Sequence, residues 1–171
     1  SVISRSPERA RRFCEKMKPH VDAELIAAHD AKTAVQEADV ITTITGSAVP
    51  VFDGRWLRPG VHINAAGSNF ANKRELDTIA VKRANRIVAD DVALARIESG
   101  DLLGAEAEAG LDWSSVHPLS DIVARKAPGR TSPDEVTLFE SHGLGLEDLA
   151  AACRVLDLAR ERGVGMEIPI R

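Results

Sequence analysis

The sequence predicts an α/β protein built on a doubly wound, mostly parallel sheet. Short segments rich in β-branched residues alternate with helix-like segments along its 171 residues, and this alternation is typical of strands joined by crossover helices. A long amphipathic helical pattern over residues 147–162 closes the series. With 44% hydrophobic and 28% charged residues, the composition is that of a globular domain with one core.

Six segments have the composition of strands. The clearest is residues 39–43, DVITT, in which β-branched side chains predominate. The others are the end of a strand at Val2 and Ile3 and the stretches 24–28, 61–67, 86–91 and 134–141. We expect these segments to lie side by side and mostly parallel.

Helices are predicted between the strands. The first begins at Ser6 and Pro7, an N-cap residue followed by a proline whose missing N–H costs nothing in the first turn. The last has an apolar face that includes Leu149 and Cys153, and it ends at Gly163. Further helices are predicted at residues 31–37, 73–84, 92–98 and 119–126.

Charge and cysteine usage argue against several classes of function. The chain has 22 basic and 26 acidic residues, a net charge of −4, and neither sign forms a long block, so we expect no nucleic-acid or membrane partner. No apolar run approaches the roughly 20 residues of a membrane span. Cys14 and Cys153 lie on predicted helix faces, which predicts buried free thiols and a reducing, cytoplasmic location. The five histidines lack metal-ligand spacing, so we predict no metal site.

Small and hydroxylated residues follow four of the predicted strands. In a doubly wound sheet, ligands bind outside the carboxyl ends of the strands, where the backbone must approach the ligand closely. The residues at those ends are Ser4–Ser6, Thr42–Thr45, Ala66–Asn69 and Ser141–Gly143. Together they predict a cofactor-binding edge.

The glycine-rich loop of a dinucleotide-binding domain is absent from the sequence. A GxGxxG motif after the first strand lets backbone N–H groups meet a pyrophosphate, and HGLGLED at residues 142–148 reproduces only half of it, before the last helix. We therefore interpret Val2 and Ile3 as the second strand of a Rossmann-type unit. The sheet is then expected to be incomplete, without its first strand and glycine loop, and the chain to be a piece of a longer protein.

Several motifs resemble the ornithine cyclodeaminase/mu-crystallin family along nearly the whole chain. They are SRSPERARRF at 4–13, EADVITTIT at 37–45, PVFDGRWLRPGVHINAAGSN at 50–69, RELD at 74–77 and DEVTLFESHGLGLEDLAAA at 134–152. The resemblance implies a partial NAD(P)-binding Rossmann domain over residues 1–145, and a C-terminal helix and tail, residues 146–171, that return to a substrate and dimerisation domain. It also implies a homodimer formed through an N-terminal domain that this sequence lacks.

Arg5 is the candidate residue for cofactor selection. The position after the second strand of a Rossmann unit faces the ribose, and an arginine there accommodates the 2′-phosphate of NADP through charge-assisted hydrogen bonds. Ser4 and Ser6 can add hydroxyl donors. We therefore predict that NADP(H) is preferred and that NAD(H) is possible. The alternative is an arginine that only begins a solvated helix.

The resemblance implies further cofactor contacts at the other strand ends. Two threonines match residues on the adenosine and pyrophosphate side, and five residues match positions beside the nicotinamide or near the cofactor. The first group is Thr43 and Thr45, and the second is Gly67, Ser68, Asn69, Lys73 and Ser141.

Asn69 and His142 are the two catalytic candidates. Cyclodeaminases of the family have an aspartate where this sequence has Asn69, and an amide cannot ionise to act as a general base. His142 can exchange a proton near neutral pH. In the RELD motif, Glu75 and Asp77 are expected to be structural.

These residues favour an NADP-linked oxidoreductase that acts on a small imino or amino acid. Such an imine reductase or amino acid dehydrogenase moves a hydride between the nicotinamide and the substrate C=N carbon. Two alternatives remain: a cyclodeaminase that uses bound NAD, which Asn69 disfavours, and a non-catalytic protein that binds NADP(H) or another small ligand. We expect residues 1–171 alone to be inactive, because the first strand and most of a substrate domain are missing from them.

Overall fold

A five-stranded parallel sheet forms the centre of the computed structural model, which describes residues 1–169. Its strands lie in the order β1-β2-β5-β3-β4, and every pairing is parallel. The strands are β1 (Val40–Thr43), β2 (His62–Ala65), β3 (Arg86–Ala89), β4 (Val116–Pro118) and β5 (Thr137–Glu140). The predicted α/β fold with a mostly parallel sheet is confirmed.

Seven α-helices and three short 3₁₀ turns accompany the sheet in residues 1–169. The helices are α1 (Pro7–Met17), α2 (Ala31–Glu37), α3 (Thr78–Arg83), α4 (Val92–Glu98), α5 (Gly100–Ala109), α6 (Leu119–Val123) and α7 (Gly145–Arg162). The 3₁₀ turns are Lys18–His20, Gly54–Trp56 and Trp113–Ser115.

The core lies on one face of the sheet. Ile63 and Ile87 alternate with half-buried residues along β2 and β3, and they pack with Val81 of α3, Ala95 of α4 and Leu102 of α5. Fully burying side chains the size of isoleucine and leucine contributes about 1.5–3 kcal/mol each. This packing fixes the sheet against three helices and holds the carboxyl ends of its strands in place.

The first two predicted strands are reduced to a single bridge. Val2 pairs with Ala27 through parallel hydrogen bonds, from Val2 N to Ile26 O at 2.7 Å and from Ala28 N to Val2 O at 3.0 Å. This bridge lies outside the five-stranded sheet, and β1 pairs only with β2 in the described part of the chain. The strand end predicted at residues 2–3 and the short strand predicted at 24–28 therefore pair with each other in parallel, but as one bridge and not as strands of the main sheet.

Two elements were not predicted, and one predicted helix is much shorter. Helix α3 begins at Thr78 instead of residue 73, because the Asp77 carboxylate caps it by accepting the N–H of Ala80 at 2.7 Å. Helix α5 lacks a strong apolar periodicity, although Ser99 caps its start and Gly110 ends it in a left-handed conformation. Strand β4 has only three residues, too short for its composition to reveal.

Helix α7 ends as predicted but buries none of its residues. Gly163 adopts φ 62°, a left-handed conformation that favours glycine. Leu149 is 60% exposed, and Cys153 is exposed as well. The prediction of two buried thiols is thus correct for Cys14 and wrong for Cys153. The last two residues of the predicted C-terminal segment, 170–171, lie outside the described residues.

Candidate functional site

The carboxyl ends of four strands lie level with one another. Thr43 pairs with Ala65, Ala65 with Glu140, and Glu140 with Ala89. The segments that follow β1, β2 and β5 therefore begin at one edge of the sheet. Most of the predicted site residues belong to these segments.

Glu75 joins two of these segments from inside the protein. Its carboxylate accepts the backbone N–H of Thr45 at 2.5 Å and that of Gly67 at 2.8 Å. The side chain is fully buried. Glu75 is thus a structural residue, as expected, and it sets the distance between the ends of β1 and β2.

Gly67 stands where two backbones meet. A Cβ atom at this position would lie 2.3 Å from the carbonyl oxygen of Thr45 and 2.6 Å from the Glu75 carboxyl carbon. Only glycine fits without displacing one of these groups. Gly67 is thus required for the tight packing of the β1 and β2 ends against Glu75, and it is itself buried.

Ser68 has a different role from the predicted contact with a cofactor. Its hydroxyl donates to the carbonyl oxygen of Lys73 at 3.0 Å and accepts the N–H of Asp101 at 3.1 Å. The residue is 2% exposed, so its hydroxyl faces the interior. Ser68 closes the loop after β2 and does not present a free group to a ligand.

Asn69 and Lys73 lie together at the rim of this loop. The Lys73 ammonium donates to Asn69 Oδ1 at 3.2 Å and lies 4.8 Å from the centre of the Phe70 ring. Both residues are partly exposed. The structure thus brings together two predicted residues, an amide and a cation, at the end of β2.

Asp90 holds the segment after β5. Its Oδ2 atom accepts the N–H of His142 at 2.7 Å, the N–H of Gly143 at 2.8 Å and the hydroxyl of Ser141 at 3.3 Å. Burial raises the pKa of Asp90, but the N–H donors of His142, Asp91 and Gly143 outweigh that effect and lower it. An ionised Asp90 therefore positions two predicted residues.

The His142 ring points inward. Its side chain is completely buried, and Nδ1 lies 3.3 Å from Asp90 Oδ1. In this geometry the ring faces buried carboxyl groups, so direct contact with a substrate, as a proton donor needs, is not available to it. The His142 ring thus turns away from the edge because Asp90 binds both the backbone N–H and the ring of this residue.

A cavity of about 630 Å³ opens beside β1. Four predicted residues line it: Ser4, Arg5, Thr43 and Thr45. Ser6 does not line it, since its hydroxyl caps α1 by accepting the N–H of Arg9 at 3.4 Å. Gly67, Asn69, Lys73 and Ser141 lie outside its lining, at the ends of β2 and β5.

The residues at this edge fit a nicotinamide dinucleotide. Thr43 is 5% exposed, and its Oγ1 atom has no hydrogen-bond partner among residues 1–169. Arg5 is exposed and forms no ion pair within the described residues. A free cation and a free hydroxyl beside the cavity are groups that such a ligand needs.

Two further buried acids lie behind this edge. Burial raises the pKa of Asp101 to about 6, although backbone N–H groups of Leu76 and Glu75 oppose the shift. Burial and the neighbouring Asp101 raise the pKa of Glu140 well above its usual range. Neither residue was a candidate in the sequence. The only available signals were an acidic side chain at the end of a buried strand for Glu140 and one in the first turn of a helix for Asp101.

A parallel α/β sheet with small and hydroxylated residues at its carboxyl edge is typical of the Rossmann-type class of proteins, and this chain has that architecture. The ornithine cyclodeaminase/mu-crystallin family model matches residues 1–163. The chain belongs to that family.

Relatives agree with this assignment. A Delta(1)-pyrroline-2-carboxylate reductase of Bacillus cereus is 36% identical over 168 residues, which cover 98% of this chain and 51% of the relative. The solved structure of the Thermococcus litoralis Delta(1)-pyrroline-2-carboxylate reductase, in complex with NADH and L-proline, superposes with a TM-score of 0.93 at 33% identity, covering 98% of this chain and 52% of that one.

A third similar protein is the iminosuccinate reductase of Paracoccus denitrificans, solved in complex with NAD+. Its TM-score is 0.85 at 34% identity, covering 98% of this chain and 51% of that one. The chain therefore spans about half the length of the relatives it matches.

Proposed function

We propose that this chain forms the cofactor-binding part of an oxidoreductase of small imino or amino acids. The observation that carries the proposal is the pair Asn69 and Lys73, an amide held by a cation at 3.2 Å at the end of β2. The pair lies at the same edge of the sheet as the Arg5 cavity. Similar proteins whose names describe imine reduction support the substrate class.

Asn69 suits reduction better than deamination. Its amide can donate to or accept from a substrate, but it cannot take up a proton as ammonia leaves. A bound nicotinamide would supply or accept the hydride at the C=N carbon. The chain's own task is then to hold the substrate nitrogen, and the partly exposed Asn69, Lys73 and Ser141 are the candidate groups for this at the sheet edge.

We also propose that NADP(H) is preferred over NAD(H). Arg5 supports this because its cation is exposed and lines the cavity beside Ser4. The two solved relatives named above hold NADH and NAD+, so cofactor choice is the part of the proposal that most needs a measurement.

We further propose that the protein forms a homodimer and is cytoplasmic. The unburied α7 supports a homodimer in which this helix packs on a substrate and dimerisation domain. The free thiols of Cys14 and Cys153 support a reducing, cytoplasmic location. None of the helices in residues 1–169 is both long and apolar enough to span a membrane.

The test compares two substrates with the full-length protein. We expect NADPH-dependent reduction of a cyclic imino acid to exceed the conversion of ornithine into ammonia and proline. General acid–base catalysis typically raises a reaction rate about 10²–10⁴-fold. Deamination by a protein with Asn69 should therefore be slower by about this factor than deamination by a protein with a carboxylate at position 69.

Asn69→Asp is the matched variant, because it changes an amide into a carboxylate of the same shape. Faster turnover of ornithine by the unaltered protein would contradict the proposal. Tight NADPH binding with no turnover of either substrate would instead indicate a non-catalytic binding protein.

A further inference from the structure

Four carboxyl groups are buried behind the candidate site, and three of them have strong donors. Glu75 accepts two backbone N–H groups, as does Asp101, whose Oδ1 binds the N–H of Glu75 at 2.7 Å and of Leu76 at 2.9 Å. Asp90 accepts three, those of His142, Gly143 and Asp91. Hydrogen bonds of this kind stabilise a carboxylate without a proton. The fourth group, Glu140, accepts no backbone N–H from residues 1–169.

Glu140 is 1% exposed, and within the described residues it accepts only the Ser99 hydroxyl, at 3.3 Å from Oε2. Its Oε1 atom has no partner in the described part of the chain. The nearby donors at the start of α5 are already used, because the N–H of Asp101 binds Ser68 and the N–H of Leu102 binds Ser99. An ionised Glu140 carboxylate would lose its hydrogen bonds to water and would find almost no protein donors to replace them.

The His142 ring lies between Glu140 and Asp90. Its Nδ1 is 3.3 Å from Asp90 Oδ1, and its Nε2 is 4.0 Å from Glu140 Oε2. Nε2 has no hydrogen-bond partner among residues 1–169. With Asp90 ionised, Nδ1 carries the proton that it donates to that carboxylate, which leaves Nε2 as an acceptor directed toward Glu140.

We propose that Glu140 is a neutral carboxylic acid in the folded protein and a positioning residue for the segment Ser141–Gly143 at the candidate site. A neutral Glu140 needs few hydrogen-bond donors where it is buried, and it places no negative charge beside the His142 ring that Asp90 binds. The part of this inference that concerns turnover rests on the proposed imine reduction.

The charges around Glu140 favour its neutral form. Asp101 of α5, Glu75 from the loop after β2 and Asp90 after β3 are acids, and each opposes a further negative charge on Glu140. His142 is the titratable base that faces it. Burial raises the pKa of Glu140 in the same direction.

The state of Glu140 can be measured without any activity. We expect infrared spectra of full-length protein with carbon-13-labelled glutamate to show a protonated carboxylic acid band at neutral pH. The band should disappear in Glu140→Gln and remain in Glu106→Gln, which makes the same change at an exposed position of α5. Because the wild-type spectrum alone decides, the test survives even if the variant does not fold. Absence of the band from the wild-type spectrum would overturn the proposal.

The positioning role has a separate readout. Imine reduction by the wild-type protein should decline as the pH rises and Glu140 loses its proton. Glu140→Gln, which stays neutral, should lose that decline, and Glu106→Gln should keep it. The same decline in Glu140→Gln as in the wild type would overturn the positioning role, whereas an infrared band assigned to a protonated Glu140 in a protein that reduces no imine would confirm the neutral acid and refute only the proposed function.

Discussion

Single buried carboxylates, Glu75 and Asp90, hold the candidate site together. Glu75 binds N–H groups from the ends of two strands, and Asp90 binds three donors from the segment after β5. Hydrogen bonds to charged groups contribute about 1.5–3 kcal/mol each. These two residues therefore position the polar edge without having to touch a ligand.

We expect a substitution of Arg5 to change the affinity for NADPH but not the affinity for NADH. Arg5→Ala in the full-length protein should weaken NADPH binding roughly ten- to a hundredfold and leave NADH binding nearly unchanged, because a charge-assisted bond to the 2′-phosphate contributes about 1.5–3 kcal/mol. Fluorescence titration with each cofactor measures both affinities.

Arg11→Ala is the control for that experiment. Arg11 is another exposed arginine of the same region, but it pairs with Glu8 at 2.8 Å and does not line the cavity. It should change neither affinity. If Arg5→Ala weakened NADPH and NADH equally, Arg5 would be a structural residue and the predicted NADP(H) preference would lose its basis.

Among the secondary-structure elements, α7 differs from the others because it has 18 residues and buries none of them. Its apolar side chains are open, with Leu146 72%, Leu149 60% and Val155 65% exposed. Isolated helices of this length are marginal in water, and most helical stability in proteins comes from packing. We therefore expect α7 to gain its stability by packing on a surface outside the sheet domain, as the proposed substrate domain would provide.

We expect hydrogen exchange to reveal this difference. In residues 1–171 expressed alone, the amides of α7 should exchange far faster than those of β2 and β5, because the two strands are buried at the centre of the sheet. In the full-length protein, α7 should become protected. Mass spectrometry of both forms gives the comparison, and equal protection of α7 and β5 in residues 1–171 would contradict the predicted boundary near residue 145.

For the whole molecule, the buried acids make stability depend on pH. Asp101 has an ordinary pKa of 3.8 that rises to about 6 in the folded protein, and the pKa of Glu140 is also raised. At these two groups the folded state therefore binds more protons than the unfolded state above pH 4. The contribution of Asp101 and Glu140 to the free energy of unfolding is fully present below pH 4 and is lost as the pH rises.

Urea denaturation between pH 4 and pH 7 measures this effect. The free energy of unfolding should fall by roughly 1–3 kcal/mol across that range, on the scale of about 1.4 kcal/mol per pKa unit. Glu140→Gln should flatten the dependence, whereas Glu106→Gln should not. A stability that rises steadily with pH in this window would show that these acids are ionised in the folded state.

Local sequence patterns were sufficient for most of the architecture. β-Branched runs located β1, β2, β3 and β5 to within a few residues, and Gly163 ended the last helix as predicted. The candidate edge followed from the strand ends, because parallel strands of one sheet bring their carboxyl ends together. These features depend on neighbouring residues and on rules that hold for all parallel sheets.

Tertiary structure alone decided which of those residues remain free. Glu75 accepts a hydrogen bond from Thr45, which lies 30 positions away in the sequence, and Asp90 accepts one from His142, which lies 52 positions away. Hydrophobic periodicity describes only residues within one helix or strand, so it cannot predict such contacts. Such contacts turned Ser68 and the His142 ring inward. Cys153 is exposed for the complementary reason, since an apolar helix face is buried only where another surface covers it. The sequence by itself therefore determined the fold class and the edge at which the candidate site lies, while strand register and burial determined which of its side chains are free.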